Sequence, residues 1–177
     1  MLSSDPFTAL ADEHAALTRL FARHQVALVT RAWARAARLL DSHRKRLAQH
    51  IEFEERYLLP YCPHGKRPNQ WPARVYSAEH QRIQELASKL NLWFAKLRRR
   101  GVTTTDLIAL LDEEKTLKHI LEHHHAREEM ALFVNLPQAL SETQRDELAQ
   151  ALRHPPHCRP MVPVSARAGA TPRYSGS

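Results

Sequence analysis

The stretch Leu47-Ala48-Gln49-His50-Ile51-Glu52-Phe53-Glu54-Glu55-Arg56-Tyr57-Leu58-Leu59 returns 74 residues later as Leu121-Glu122-His123-His124-His125-Ala126-Arg127-Glu128-Glu129-Met130-Ala131-Leu132-Phe133. Six positions match in type: Leu47/Leu121, His50/His124, Glu54/Glu128, Glu55/Glu129, Leu58/Leu132 and Leu59/Phe133. Residues four apart stack on one face of a helix. Each copy therefore aims an imidazole and a carboxylate at one locus, on a stripe that is otherwise apolar. Bare carboxylates in a core are costly or change their protonation state, so packing alone does not account for the pattern.

A second repeat frames the first. Glu13-His14 with Leu17 and Leu20 corresponds, at an offset of 66, to Glu79-His80 with Ile83 and Leu86. The chain thus reads as two similar halves, each with an E-H pair followed by H-x-x-x-E-E-x-x-L-[LF].

Working outward, helical spacing extends over four long segments: about Thr8 to Gln25, Thr30 to Leu59, Pro72 to Arg100 and Thr104 to Asn135. Their apolar stripes run through Leu10, His14, Leu17 and Phe21; through Leu40, His43, Leu47, His50 and Glu54; through Tyr76, His80, Ile83 and Phe94; and through Leu110, Glu114, Leu117 and Leu121. Pro60 ends the second segment, a proline-rich stretch to Pro68 follows, and Gly101 stops the third. Ser141 with Gln144 makes a capping box for a short fifth helix over Glu142–Leu152. Residues 153–177 are rich in Pro, Arg and Ser without periodicity and read as a disordered tail after a domain over 1–152. The expected fold is all-α, an antiparallel up-down-up-down four-helix bundle.

Composition narrows the function. Of 177 residues only 4 are Gly, and no phosphate-binding glycine motif occurs. The start lacks a secretory pattern, no apolar run is long enough for a membrane span, and 2 Cys make no disulfide framework. A cytoplasmic protein without membrane attachment is expected. The net charge of +7 is spread along the chain, as in Arg31, Arg35, Arg38, Lys96 and Arg98, which argues against specific nucleic-acid readout. The protein partner stays open.

The chemistry-bearing set is His14, His50, Glu54, His80, His124 and Glu128. Four nitrogens and two carboxylates suit two metal ions, each with two imidazoles and one oxygen from each bridging glutamate. Mixed N/O ligation without thiolate favours iron or manganese over a closed structural zinc site. The 74-residue register selects His124 over His125, although His125 lies near the same stripe. Glu122 with His125 also makes the E-x-x-H of ferritin-like centres, but a second copy is missing. Glu13, Glu79, Glu55 and Glu129 are candidates either for hydrogen bonds to ligand imidazoles or for solvated ion pairs. Tyr57, Gln84 and His125 are candidate pocket residues. His43 reads as a boundary residue, and Glu114 as its partner or that of a buried arginine. Trp33, Trp71 and Trp93 read as packing, and Cys62 and Cys158 as ordinary thiols rather than a second metal site with His64 or His157.

On these residues the chain resembles the hemerythrin-like (HHE) cation-binding family over about residues 8–135. The resemblance implies a four-helix bundle with a non-haem, oxo- or hydroxo-bridged di-iron centre on the six residues named above, manganese or zinc being other occupants. It implies a small ligand, dioxygen, nitric oxide or peroxide, and uses from oxygen carriage through sensing to iron-centre repair. Two departures bear on the choice. Oxygen carriers have a second histidine one turn after the first on helix three, where this chain has Gln84. They also have an aspartate five residues beyond the helix-four histidine, where this chain has Glu128 at four and Glu129 at five. Sensing, stress response or iron handling is therefore expected ahead of oxygen carriage. The alternatives are a peroxidase-like or repair enzyme on the same scaffold, and a metal-free basic interaction module.

Overall fold

A computed structural model describes residues 5–62 and 70–153. Among these the chain is entirely helical, without strands: α1 (Pro6–Val29), α2 (Trp33–Tyr57), a 3-10 turn at Leu59–Tyr61, α3 (Ala73–Arg100), α4 (Thr104–Arg127), a π-helical segment (Glu128–Leu132), α5 (Phe133–Ala139) and α6 (Glu142–Arg153). Arg153, expected to begin the tail, instead ends α6; the rest of the proposed tail and the residues His64, His157 and Cys158 lie outside the described residues.

Local chemistry explains the ends. Asp5 caps α1 by accepting from the Thr8 backbone N–H, and Pro6 occupies the first helical position, where its missing N–H costs nothing. The first helix runs on to Val29, past its expected end near Gln25. The break falls at Thr30–Ala32, where Arg31 adopts φ 56°. Gly101 ends α3 at φ 91°, a conformation open to glycine. A reciprocal capping box between Thr103 and Asp106 starts α4. Ser141 and Gln144 exchange the two hydrogen bonds expected of theirs.

Helix α1 packs on α2, α2 on α3, α3 on α4 and α4 back on α1, while α6 lies against α1. The interior divides into two apolar clusters. One gathers Leu17, Phe21, Leu40, Leu47, Ile83, Leu90, Phe94, Leu110, Leu117 and Leu121. The other gathers Phe7, Leu10, Leu58, Tyr76, Leu132, Phe133, Leu136 and Leu148. A fully buried leucine stabilises such a core by about 1.5–3 kcal/mol. Between the clusters lies a polar layer: His14 falls between Leu10 and Leu17, His50 and Glu54 between Leu47 and Leu58, His80 between Tyr76 and Ile83, and His124 and Glu128 between Leu121 and Leu132. The apolar clusters seal this layer from both sides. No helix among the described residues is long and apolar enough to cross a membrane.

Candidate metal centre

The polar layer is built from all four long helices. His14, His50, Glu54, His80, His124 and Glu128 are each at most 5% exposed, and Glu54 and Glu128 have no exposure at all. Their donor atoms fall into two quartets. In the first, His14 Nε2 is 3.0 Å from His50 Nε2, 3.8 Å from Glu54 Oε1 and 3.3 Å from Glu128 Oε2, and His50 Nε2 is 3.0 Å from Glu54 Oε1. In the second, His80 Nε2 is 3.1 Å from His124 Nε2, 3.3 Å from Glu54 Oε2 and 3.8 Å from Glu128 Oε1, and His124 Nε2 is 3.4 Å from Glu128 Oε1. Each glutamate gives one oxygen to each quartet. Adjacent ligands held about 2.1 Å from one ion lie about 3 Å apart, so the spacing is that of donors converging on a cation.

Hydrogen bonding supports the same reading. All four oxygens of Glu54 and Glu128 are buried without a hydrogen-bond partner. Unpartnered buried carboxylates are strongly disfavoured, and a cation between them removes the penalty. The residues present therefore fit a pair of metal ions.

The far nitrogens are tied down from outside. His14 donates from Nδ1 to Glu129 at 2.8 Å, His80 to Glu55 at 2.7 Å and His124 to Glu79 at 3.1 Å. Such bonds set ring orientation and raise the basicity of the inward Nε2. Ser77 and Arg127 hold Glu55 and Glu79 in turn. Glu13 departs from the symmetry: it bonds Arg46 instead of an imidazole.

Without metal, the carboxylates favour the protonated form at two of the four rings, His14 and His80. Burial alone would lower the His14 pKa, but Glu128, Glu54 and Glu129 raise it to about 10. At His80, burial is likewise outweighed by Glu128, Glu54 and Glu55, again to about 10. Burial pushes Glu54 upward, yet the surrounding imidazoles hold it well below the carboxylate range. Burial lowers His124.

The remaining sequence candidates scatter. His125 is buried beside the first quartet, its ring flat against that of His14. Gln84, expected in the pocket, is exposed on α3, because Ile83 and Ala87 take the inward positions there. Tyr57 packs against Phe53 and Arg56 at the edge of the second apolar cluster. Trp33 and Trp93 pack against the first cluster, and Arg127 covers the Trp71 ring. Cys62 is buried, its thiol donating to the Trp71 carbonyl. Glu114 pairs with neither His43 nor an arginine: His24 meets it at 2.7 Å and Gln25 donates to it at 3.2 Å. His24 also donates from Nδ1 to the Ala36 carbonyl at 2.8 Å. The sequence reading missed His24, although it continues the stripe three residues beyond Phe21. It missed the π-helical segment too, which begins at Glu128, beside the site, where such wider turns are common.

Fold and site together define a helical protein with a buried, histidine- and glutamate-lined cage able to hold metal. The Hemerythrin HHE cation binding domain matches residues 5–133, and the chain belongs to that family. No individual curated protein and no solved structure matches it.

Proposed function

We propose that the chain is a non-haem di-iron protein that binds a small ligand, dioxygen, nitric oxide or peroxide, at an open iron position. Its role is sensing, stress response or iron handling ahead of oxygen carriage. One observation carries the reading: Glu54 and Glu128 each divide their two oxygens between the same two histidine pairs. A single-metal site has no use for that division.

The proposed architecture is an antiparallel up-down-up-down four-helix bundle. Its support is the order of cluster residues, since α1 and α3 pass from the second apolar cluster to the first, while α2 and the run from α4 through the π-helical segment pass back. Bound iron would supply redox chemistry and an exchangeable coordination position. The protein's own share is to orient His14, His80 and His124 through their carboxylate partners, to hold two counter-charges in Glu54 and Glu128, and to exclude bulk water with the flanking apolar clusters. Gln84, exposed where the oxygen carriers place a histidine, favours the roles other than carriage.

The test is anaerobic reconstitution with ferrous iron, followed by metal analysis and optical spectra after oxygen and after nitric oxide. About two iron ions per chain with oxo-bridge charge-transfer bands are expected. A chain that takes up no iron, with an unaltered spectrum, overturns the reading.

A further inference from the structure

The two quartets differ in their surroundings. Beside the first stands an additional imidazole, that of His125, 8% exposed. Its ring is 4° from parallel with that of His14, the centroids 3.9 Å apart. One of its ring nitrogens lies within 4.8 Å of a ring nitrogen of both His14 and His50. Its Nε2 is buried with no hydrogen-bond partner. An imidazole lone pair lies in the plane of its ring, and one ion cannot sit in both of two parallel planes. In this arrangement His125 does not share an ion with His14.

His125 also borders a cavity of about 60 Å³, whose wall combines the apolar Leu17, Phe21 and Leu121 with His43 and the exposed Lys118 and Glu122. Roughly 10–15 Å³ of such cavity space holds one water molecule, so the cavity admits a diatomic or triatomic ligand. Both ring nitrogens of His43 are also unpartnered. The cavity wall thus includes two imidazoles with unmet nitrogens, and one of them, His125, also stands against His14 and within 4.8 Å of His50.

We infer that His125 is the specificity-determining residue for the ligand of the first quartet, donating an imidazole N–H to an anionic ligand that arrives through this cavity. The inference rests on the di-iron reading above and deepens it. In a low-dielectric setting a single donor is strengthened, and a charged acceptor gains about twice what a neutral one does. Anions such as azide or peroxide then gain from His125, whereas nitric oxide, neutral and a poor acceptor, gains little.

The experiment titrates the iron-loaded full chain optically with azide and with nitric oxide, comparing wild type with His125→Leu and His125→Gln. His125→Leu is expected to weaken azide by about tenfold or more and to leave nitric oxide within about twofold, at unchanged iron content. His125→Gln, which keeps an N–H donor, is expected to recover most of the azide affinity. Should the leucine variant not fold, His125→Phe, which keeps a ring against His14, is judged by the same criteria. Equal azide affinity without the donor overturns the inference, and so does loss of iron from a folded variant, which would make His125 a ligand. A wild-type chain that takes up no iron overturns the di-iron reading and this inference with it; an iron-loaded centre indifferent to His125 overturns the inference alone.

Discussion

His14 on α1 donates its Nδ1–H to Glu129 at 2.8 Å across 115 residues of chain, and the internal repeat maps this pair onto His80 and Glu55, bonded at 2.7 Å. The same carboxylate–imidazole device thus serves both quartets. Replacing Glu129 or Glu55 by Ala should weaken metal binding by about 10–100-fold, because the imidazole loses orientation and basicity. Glu13→Ala, whose carboxylate bonds Arg46, should have a much smaller effect. Chelator competition on the three variants checks the contrast.

The shared glutamates predict an asymmetry in stoichiometry. Glu54→Ala removes an oxygen from both quartets and should bring iron content from about two per chain toward none. His124→Ala removes a nitrogen from the second quartet alone and should leave about one ion per chain. Iron analysis after reconstitution separates the two; equal losses would contradict the bridging arrangement.

Protonation predicts a pH profile for the metal-free chain. His14 and His80 keep their protons up to about 10 in the fold, against 6.5 ordinarily. The stability they contribute is complete below about 6.5 and fades as pH rises toward about 10. Burial, with His24 nearby, lowers His43 to about 4, and burial, with His14 and His124 nearby, lowers His125 to about 2. Both stay neutral in the fold while the unfolded chain takes up protons below about 6.5, so stability also declines on the acid side. A maximum near neutrality is expected, with the alkaline decline flattened by iron, which replaces the protons. Urea midpoints from about pH 5 to 10, with and without iron, test this; an alkaline decline unchanged by iron would refute it.

Away from the metal layer, Glu114→Leu should destabilise the fold by about 1–3 kcal/mol, since a buried His24 nitrogen loses its partner. The double variant His24→Leu/Glu114→Leu should recover part of that loss, because His24 and Glu114 then go together and only the Gln25 amide and the Ala36 carbonyl lose a partner. Iron content should not change in either. Urea unfolding beside metal analysis measures both statements.

Much of the site was legible in the chain because helical periodicity is local. Once Leu47, His50, Glu54 and Leu58 share a stripe, their side chains face one way, and the copy at Leu121, His124, Glu128 and Leu132 faces likewise. The choice of His124 over His125 came from that register, and the structure places His124 in the second quartet and His125 flat against His14. The His24–Glu114 pair was not legible: its members are 90 residues apart and on different helices, and a lone buried histidine carries no mark of its partner. Nor was Glu13's turn toward Arg46, since the same spacing at Glu79 leads to His124.

Sequence alone therefore determined the helices, their inward faces and the repeat that sets imidazoles beside carboxylates, all consequences of 3.6-residue periodicity within single segments. Tertiary structure decided which oxygen meets which nitrogen, which carboxylates steady the rings, and where His125 stands. Those contacts depend on the rotation and axial shift of one packed helix against another, which no single helix encodes.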